Sequence, residues 1–258
     1  MEIQTTKAGG ILTIAFNRPE RKNAITSAMY QSMADAINGV EGDAEVRAIL
    51  ICGTAEIFTA GNDLDDFLKT AALDDGVQFT ERPVFKFMRA LSGTTKPVVA
   101  AVTGAAIGIG TTMLMHCDLV YAGDNARFSV PFTQLGLCPE FGSSMLLPRN
   151  AGHARAAEKL MLGEPWGAQE AYDMGLVSKV LPAGEVQAYA QAQAAKLVAL
   201  PAASIRATKR LMKTGREALQ AHIDIESNLF GAMLLEPEAK EAFTAFFEKR
   251  KPDFTRFA

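Results

Sequence analysis

The sequence is poor in several features that would carry strong functional signals. Its three cysteines (Cys52, Cys117, Cys138) lie far apart and form no C-x-x-C pair. A disulfide scaffold or thiolate zinc site is therefore not expected, and free thiols in a reducing compartment are. The three histidines (His116, His153, His222) lack metal-ligand spacing, so each reads first as structural or exposed. There is no excess of positive charge: 26 Lys and Arg face 29 Asp and Glu, a net charge of −3. That balance excludes the basic footprint of a nucleic-acid binder or a polybasic membrane protein.

Addresses are missing too. The opening MEIQTTKAGGILTIAF has no basic region followed by a long apolar stretch, so no signal peptide is expected. The ending FTRFA is not a peroxisomal address, and the cytoplasm is the expected location. The uncharged run 97–117 is long enough to suggest a membrane span. Gly104, Gly108, Gly110 and several threonines interrupt it, so it reads as buried strand, turn and helix start. No Ser/Gly-rich linker, low-complexity stretch or clean repeat divides the chain.

What is present is a soluble-type composition, 48% apolar and 21% charged over 258 residues, enough for a sizeable core. Apolar runs at 11–17, 46–53, 97–104, 118–123 and 176–182 read as strands. Between them, Met29, Met33, Ile37 and Val40 share a helical face with Thr26 or Ser27 as N-cap. Val84, Phe87, Met88 and Leu91 form a second stripe. This alternation predicts an α/β fold. From Val186 onward nearly everything reads as helix, broken by LP at 200–201 and EP at 236–237. The expected organisation is a core over 1–185 with a helical extension of the same domain over 186–258. Leu229, Phe230, Met233 and Leu234, and then Phe243, Phe246 and Phe247, give the extension apolar faces that must pack on the body or on another subunit.

Two strands run into glycine-containing turns, EIFTAGNDLDDF (56–67) and TGAAIGIGTTMLM (103–115). A glycine between strand and helix brings backbone amides close to a ligand, and the first-turn amides attract negative charge. Two such turns can aim two N–H groups at one oxygen. The plainer account is tight strand-to-helix packing, with Asp63, Asp65 and Asp66 solvated near a helix start. Gly104, Gly108 and Gly110 do not have the G-x-G-x-x-G spacing of a dinucleotide site.

Between Phe128 and Pro148 the only charged residue is Glu140, within QLGLCPEFGSSMLLP. An ion pair with Arg127 or Arg149, or exposure at a loop tip, would account for it without function. Burial among Phe132, Leu137 and Phe141 would instead raise its pKa and make it a base. Ser143 and Ser144 would suggest a nucleophile only beside a histidine and a carboxylate, which the sequence does not identify.

Four segments in order, NRPERKNAIT (17–26), FTAGNDL (58–64), VTGAAIGIG (102–110) and EKRKPDF (248–254), resemble the crotonase (enoyl-CoA hydratase/isomerase) superfamily across nearly the whole chain. The resemblance implies a spiral of β-β-α units, a C-terminal helical region that assembles trimers or pairs of trimers, and an acyl-CoA thioester substrate from fatty acid metabolism. It implies no metal or redox cofactor, coenzyme A being part of the substrate. It assigns the oxyanion donors to the N–H groups of Asn62 and Ile109. Ile109 stands where the family often has glycine, so glycine-like torsions there would strain it. The CoA and acyl contacts implied are Lys22, Ala24, Ala60, Gly61, Asp63, Leu64, Gly108, Phe132, Leu135, Phe246 and Lys249, with Arg250 as a further phosphate candidate.

The two glutamates of family hydratases are replaced by Thr112 and Phe132, neither of which can activate water. Glu140, in LGLCPEFGSS, instead occupies the position of the catalytic glutamate in sequences similar to the peroxisomal-type delta-3, delta-2-enoyl-CoA isomerases, where one carboxylate suffices. Two alternatives remain open: another crotonase-type reaction such as hydration, and a non-catalytic acyl-CoA-binding protein. Acyl-chain length is expected to depend on how residues 65–90 pack.

Overall fold

The structure of the protein, a computed structural model, describes residues 1–71 and 76–257. Part of the segment expected to set pocket depth, residues 72–75, lies outside the described residues. Among those described, nine strands form: β1 (Ile3–Ala8), β2 (Ile11–Phe16), β3 (Ala48–Cys52), β4 (Val98–Val102), β5 (Ala105–Ile107), β6 (Leu119–Gly123), β7 (Arg127–Ser129), β8 (Trp166–Gly167) and β9 (Lys179–Leu181). They build a six-stranded sheet in the order β1-β2-β3-β4-β6-β9 and a small one in the order β5-β7-β8. β1 and β2 are antiparallel and the rest of the large sheet is parallel. Successive passes through β4–β5 and β6–β7 each give one strand to each sheet, a spiral course of the kind the sequence resemblance implies.

The parallel strands are continuously apolar because both faces are covered. Ile49 and Ile51 face a core shared with α1 (Ser27–Gly39) and, beyond α2 (Leu64–Ala71), with α3 (Pro83–Gly93). Ala48, Leu50 and Cys52 face Val186, Ala190 and Ala194 on the opposite side. Thr26 is the N-cap of α1, its hydroxyl accepting from the Met29 amide at 3.3 Å. Met29, Met33 and Ile37 are buried at the expected four-residue spacing. In α3, Phe87, Met88 and Leu91 are buried and Val84 half-buried, behind a Pro at the first helical position.

Four short helices, α4 (Ile109–Thr112), α5 (Ser143–Ala151), α6 (His153–Leu162) and α7 (Ala168–Asp173), precede the helical C-terminal region of α8 (Val186–Ala199), α9 (Ala202–Met212), α10 (Arg216–Met233) and α11 (Pro237–Phe247). Both proline breaks fall where expected. A third break, at residues 213–215, was not anticipated; Gly215 there takes a φ of 84°. The apolar faces of α10 and α11 divide: Phe230, Leu234 and Phe243 join the main core, whereas Leu229, Phe246 and Phe247 are about half exposed. No helix among the described residues is long and apolar enough to cross a membrane.

The small sheet matters most for the site. Two single-residue parallel bridges, Thr59 to Ala106 and Ile25 to Asn62, extend it sideways. Asn23 locks loop 17–26 onto this extension. Its carboxamide accepts from the Arg18 amide at 2.8 Å and donates to the Phe58 carbonyl at 3.0 Å, while its own carbonyl accepts from Thr59 Oγ1 at 2.6 Å. Asn23 is fully buried and left-handed, with φ 53°, a conformation asparagine tolerates better than most residues. Asn23→Ala strands the Arg18 N–H and the Phe58 carbonyl and leaves alanine in an unfavourable torsion. It is expected to lower unfolding free energy by about 2–4 kcal/mol, read from the shift in urea midpoint.

Candidate active site

Glu140 is buried, at 6% exposure, in a loop between β7 and α5. Neither plain account of it holds: it is not at an exposed loop tip, and its recorded side-chain partner is the Thr112 hydroxyl, which donates to Oε1 at 2.7 Å. Burial pushes its carboxyl up to about 8, with the charge of Glu226 adding to the effect and the Thr112 hydrogen bond opposing it. Thr112 had been noted only as a missing carboxylate; here it is the partner of the remaining one. An apolar loop with one acid was a legible signal, but the pairing of residues 28 apart was not.

Gly61 and Gly108 bring the two glycine turns together. Gly61 has φ 86°, and a Cβ there would sit 2.7 Å from the Ile107 carbonyl oxygen and 4.0 Å from the Gly108 nitrogen, so only glycine allows this approach. Gly108 takes the unusual torsions (φ 55°, ψ −120°) and leaves Ile109 as the first residue of α4. The strain anticipated at Ile109 is absent because the preceding glycine absorbs it. The Gly61 carbonyl and Asp63 amide both bond to Ile25, at 2.8 and 2.9 Å, which turns the intervening Asn62 N–H to the other side. The Ile109 N–H is a first-turn helix amide. Neither N–H meets a protein acceptor among the described residues, and both residues line one cavity.

That cavity has a volume of about 930 Å³. It brings together Ala24, Ala60, Gly61, Asn62, Asp63, Leu64, Gly108, Ile109, Phe132, Leu135 and Phe246, all singled out in the sequence. Phe67, Phe230 and Phe132 meet edge to face, at centroid distances of 6.1 and 6.3 Å, and give the wall an aromatic lining the motifs did not reveal. Asp63 lines it as well. Burial raises its carboxyl, but the hydrogen bond from Arg18 at 2.7 Å and the Asp66 amide outweigh this and hold it below its usual range.

Three expected residues are not on the wall. Lys22 and Lys249 both adopt left-handed turns, with φ of 52° and 54°, and their neighbours Arg21, Arg250 and Lys251 line the cavity instead. Glu140 is not on the lining either. It is bonded to Thr112 of the short helix that Ile109 begins, and its loop neighbours Phe132 and Leu137 do line the cavity. Phe141 is fully buried and also off the wall. Tyr30, not anticipated, donates to the Asn62 side-chain oxygen at 2.6 Å. Burial first, and then the charge of Glu140, push its phenol upward. A buried tyrosine hydroxyl ordinarily has a partner, which was the one sequence hint of this role.

Ser144 does have a histidine and a carboxylate beside it. Its hydroxyl lies 2.7 Å from His222 Nε2 and 2.5 Å from Glu226 Oε1. The same imidazole nitrogen faces Glu226 at 3.4 Å, whereas a nucleophilic triad needs the carboxylate on the opposite ring nitrogen. Glu226 also accepts from the Gly142 and Ser144 amides at 2.5 and 3.0 Å, so it caps the start of α5. Among the described residues no group of three or more His, Cys, Asp or Glu is placed to hold a metal ion.

Comparison with known proteins agrees with this architecture. The family model described as Enoyl-CoA hydratase/isomerase matches residues 6–256. The chain is 32% identical over 257 residues to 2,3-dehydroadipyl-CoA hydratase of Escherichia coli (strain K12), covering 98% of each. It is 35% identical over 252 residues to enoyl-CoA delta isomerase 2 of Rattus norvegicus, covering 97% of this chain and 64% of that one. The crystal structure of an enoyl-CoA hydratase/isomerase from Pseudoalteromonas atlantica T6c superposes with a TM-score of 0.92 at 38% identity, covering 99% of this chain and 100% of that one. The relatives divide between hydratase and isomerase names, but motif order, fold and site geometry converge, and the chain belongs to the crotonase, or enoyl-CoA hydratase/isomerase, superfamily.

Proposed function

We propose that the protein is a delta-3, delta-2-enoyl-CoA isomerase that converts a 3-enoyl-CoA to the trans-2-enoyl-CoA with Glu140 as its one proton shuttle. The observation that carries the reading is the buried, basic carboxylate of Glu140 held by a hydroxyl, Thr112, at one of the two positions where a hydratase would have a glutamate. With the acyl chain in the apolar cavity, the Glu140 carboxylate turns about its own side-chain bonds to reach it. It removes a proton from the carbon beside the thioester carbonyl. The electrons move onto the carbonyl oxygen to give a dienolate, which the Asn62 and Ile109 N–H groups stabilise. The protonated Glu140 then returns the proton at the far end of the allylic system. Each preorganised amide contributes about 3–4 kcal/mol at the transition state.

The acids that do line the cavity wall suit the task less well. Asp63 is held ionised by Arg18, and Asp65 faces Arg21 at 3.5 Å. Phe132, where the second hydratase glutamate would stand, lines the cavity with an apolar ring. Arg21, Arg250 and Lys251 are the cationic groups suited to the CoA phosphates, Arg250 being fixed by paired hydrogen bonds to Glu241. In this family the helical C-terminal region is a trimerisation surface, and exposed Leu229 and Phe247 suit that use.

Incubation with 3-hexenoyl-CoA and with crotonyl-CoA separates the readings. Isomerisation yields the conjugated 2-enoyl thioester from the first, and negligible 3-hydroxyacyl-CoA from the second. Glu140→Gln is expected to lower kcat on 3-hexenoyl-CoA about 10²–10⁴-fold with little change in KM; full turnover by this variant, or efficient hydration by the native protein, would overturn the proposal.

The pH dependence has a definite sign. Only ionised Glu140 accepts a proton, so with a pKa of about 8 kcat/KM should climb roughly tenfold per pH unit below 8 and level off above it. Thr112→Val removes a hydrogen bond that favours the ionised form, and the limb should move to higher pH in the same kcat/KM profile.

A further inference from the structure

Immediately after Glu140 the backbone does something an aromatic residue rarely does. Phe141 is left-handed, with φ 58°, and Gly142 follows at φ 73°. Glycine takes this conformation freely, whereas a bulky side chain there is held by its surroundings. The peptide unit joining these two residues is gripped at both ends. Its carbonyl, on Phe141, lies 2.7 Å from His116 Nε2, and its N–H, on Gly142, donates to Glu226 at 2.5 Å. His116 comes from the turn after α4 and Glu226 from α10, 110 residues apart in the chain (226 minus 116).

A carbonyl only accepts, so Nε2 must carry the imidazole proton. The ring is 2% exposed and stacks on Phe141 itself, with centroids 3.8 Å apart and planes 16° from parallel. One residue thus holds both the carbonyl and the side chain of Phe141. Burial, reinforced by Lys213 and Lys209 and opposed by the Phe141 hydrogen bond, lowers the imidazole to about 3. His116 is therefore a neutral, fixed donor at working pH. It does not line the cavity, so it touches no substrate.

We infer that His116 is a positioning residue for the isomerase reaction, orienting the Phe141–Gly142 peptide and so fixing the backbone from which the preceding Glu140 reaches toward the cavity. The inference rests on the reading of Glu140 as the base. Backbone strain sits one residue from the acid, close enough for a rotation of this peptide to displace the carboxylate. The clamp also touches the oxyanion side. Phe141 packs on Phe87 at 6.4 Å, Phe87 on Tyr30 at 5.6 Å, and Tyr30 donates to Asn62.

The test compares His116→Phe, which keeps the stacked ring but loses the donor, with His116→Gln, which keeps an N–H donor without the ring. Both are assayed on 3-hexenoyl-CoA beside the native protein and Glu140→Gln, with thermal melting of each. Misplacing a reacting group by about 1 Å costs on the order of 10²-fold. His116→Phe should therefore lose about that factor in kcat with KM within about twofold, and His116→Gln should recover most of it. A His116→Phe kcat within about threefold of native would overturn the inference, as would equal losses in both variants that follow their melting temperatures. If His116→Phe does not fold, His116→Asn, which fits the space but is too short to reach the carbonyl, takes its place. Full turnover by Glu140→Gln would instead remove the base reading on which the inference stands.

Discussion

A neutral hydroxyl hydrogen-bonded to a buried carboxylate organises the centre of this protein. Glu140 is out of water, and desolvation makes its charged form expensive. Thr112 offers one short hydrogen bond, enough to orient an oxygen without extinguishing its basicity. A carboxylate at residue 112 would change the electrostatics completely, because two acids at that separation share a proton and titrate as a pair. With a hydroxyl at 112 instead, Glu140 shares that hydrogen bond with a group that does not titrate.

The two amides at the cavity that are unpaired among the described residues, on Asn62 and Ile109, belong to the backbone, and the sheet places them. The bridges at Thr59–Ala106 and Ile25–Asn62 align the two strand ends, and glycines at 61 and 108 allow them to approach. Asn62 and Ile109 then contribute N–H groups whose position owes nothing to their side chains. That is why an isoleucine is acceptable at 109 once Gly108 has taken the torsion no isoleucine would. An apolar cavity wall keeps these dipoles in a low-dielectric setting, where they act most strongly.

The C-terminal helices complete the site as well as cover it. Phe230 and Phe243 share the core with Phe132 and Leu137, and Glu226 caps α5 beside the turn that carries Glu140. A substitution in α10 can therefore reach the acid through the backbone. Tyr30 does the same from the other side, tying α1 to Asn62. Apart from the Glu226 carboxylate, these contacts run through peptide groups, hydroxyls and buried rings.

Much of this could be read in the residues alone. Runs such as Ala48–Cys52 and Val98–Val102 are apolar on both faces, a pattern that a doubly covered parallel strand requires. The glycine turns and the isolated acid at 140 were visible because each breaks its local pattern. The strands β5, β7 and β8 were not, since segments of two or three residues have no period to detect. Neither was the placing of Arg21 and Lys251 on the cavity wall, beside the expected Arg250, in place of Lys22 and Lys249, which adopt left-handed turns. Local chemistry thus determined the longer elements, the glycine hinges and the isolation of one acid at 140. Only the folded chain decided what surrounds that acid, because Thr112 reaches its carboxylate, and His116 and Glu226 the peptide after it, through long-range packing that no spacing along the sequence encodes.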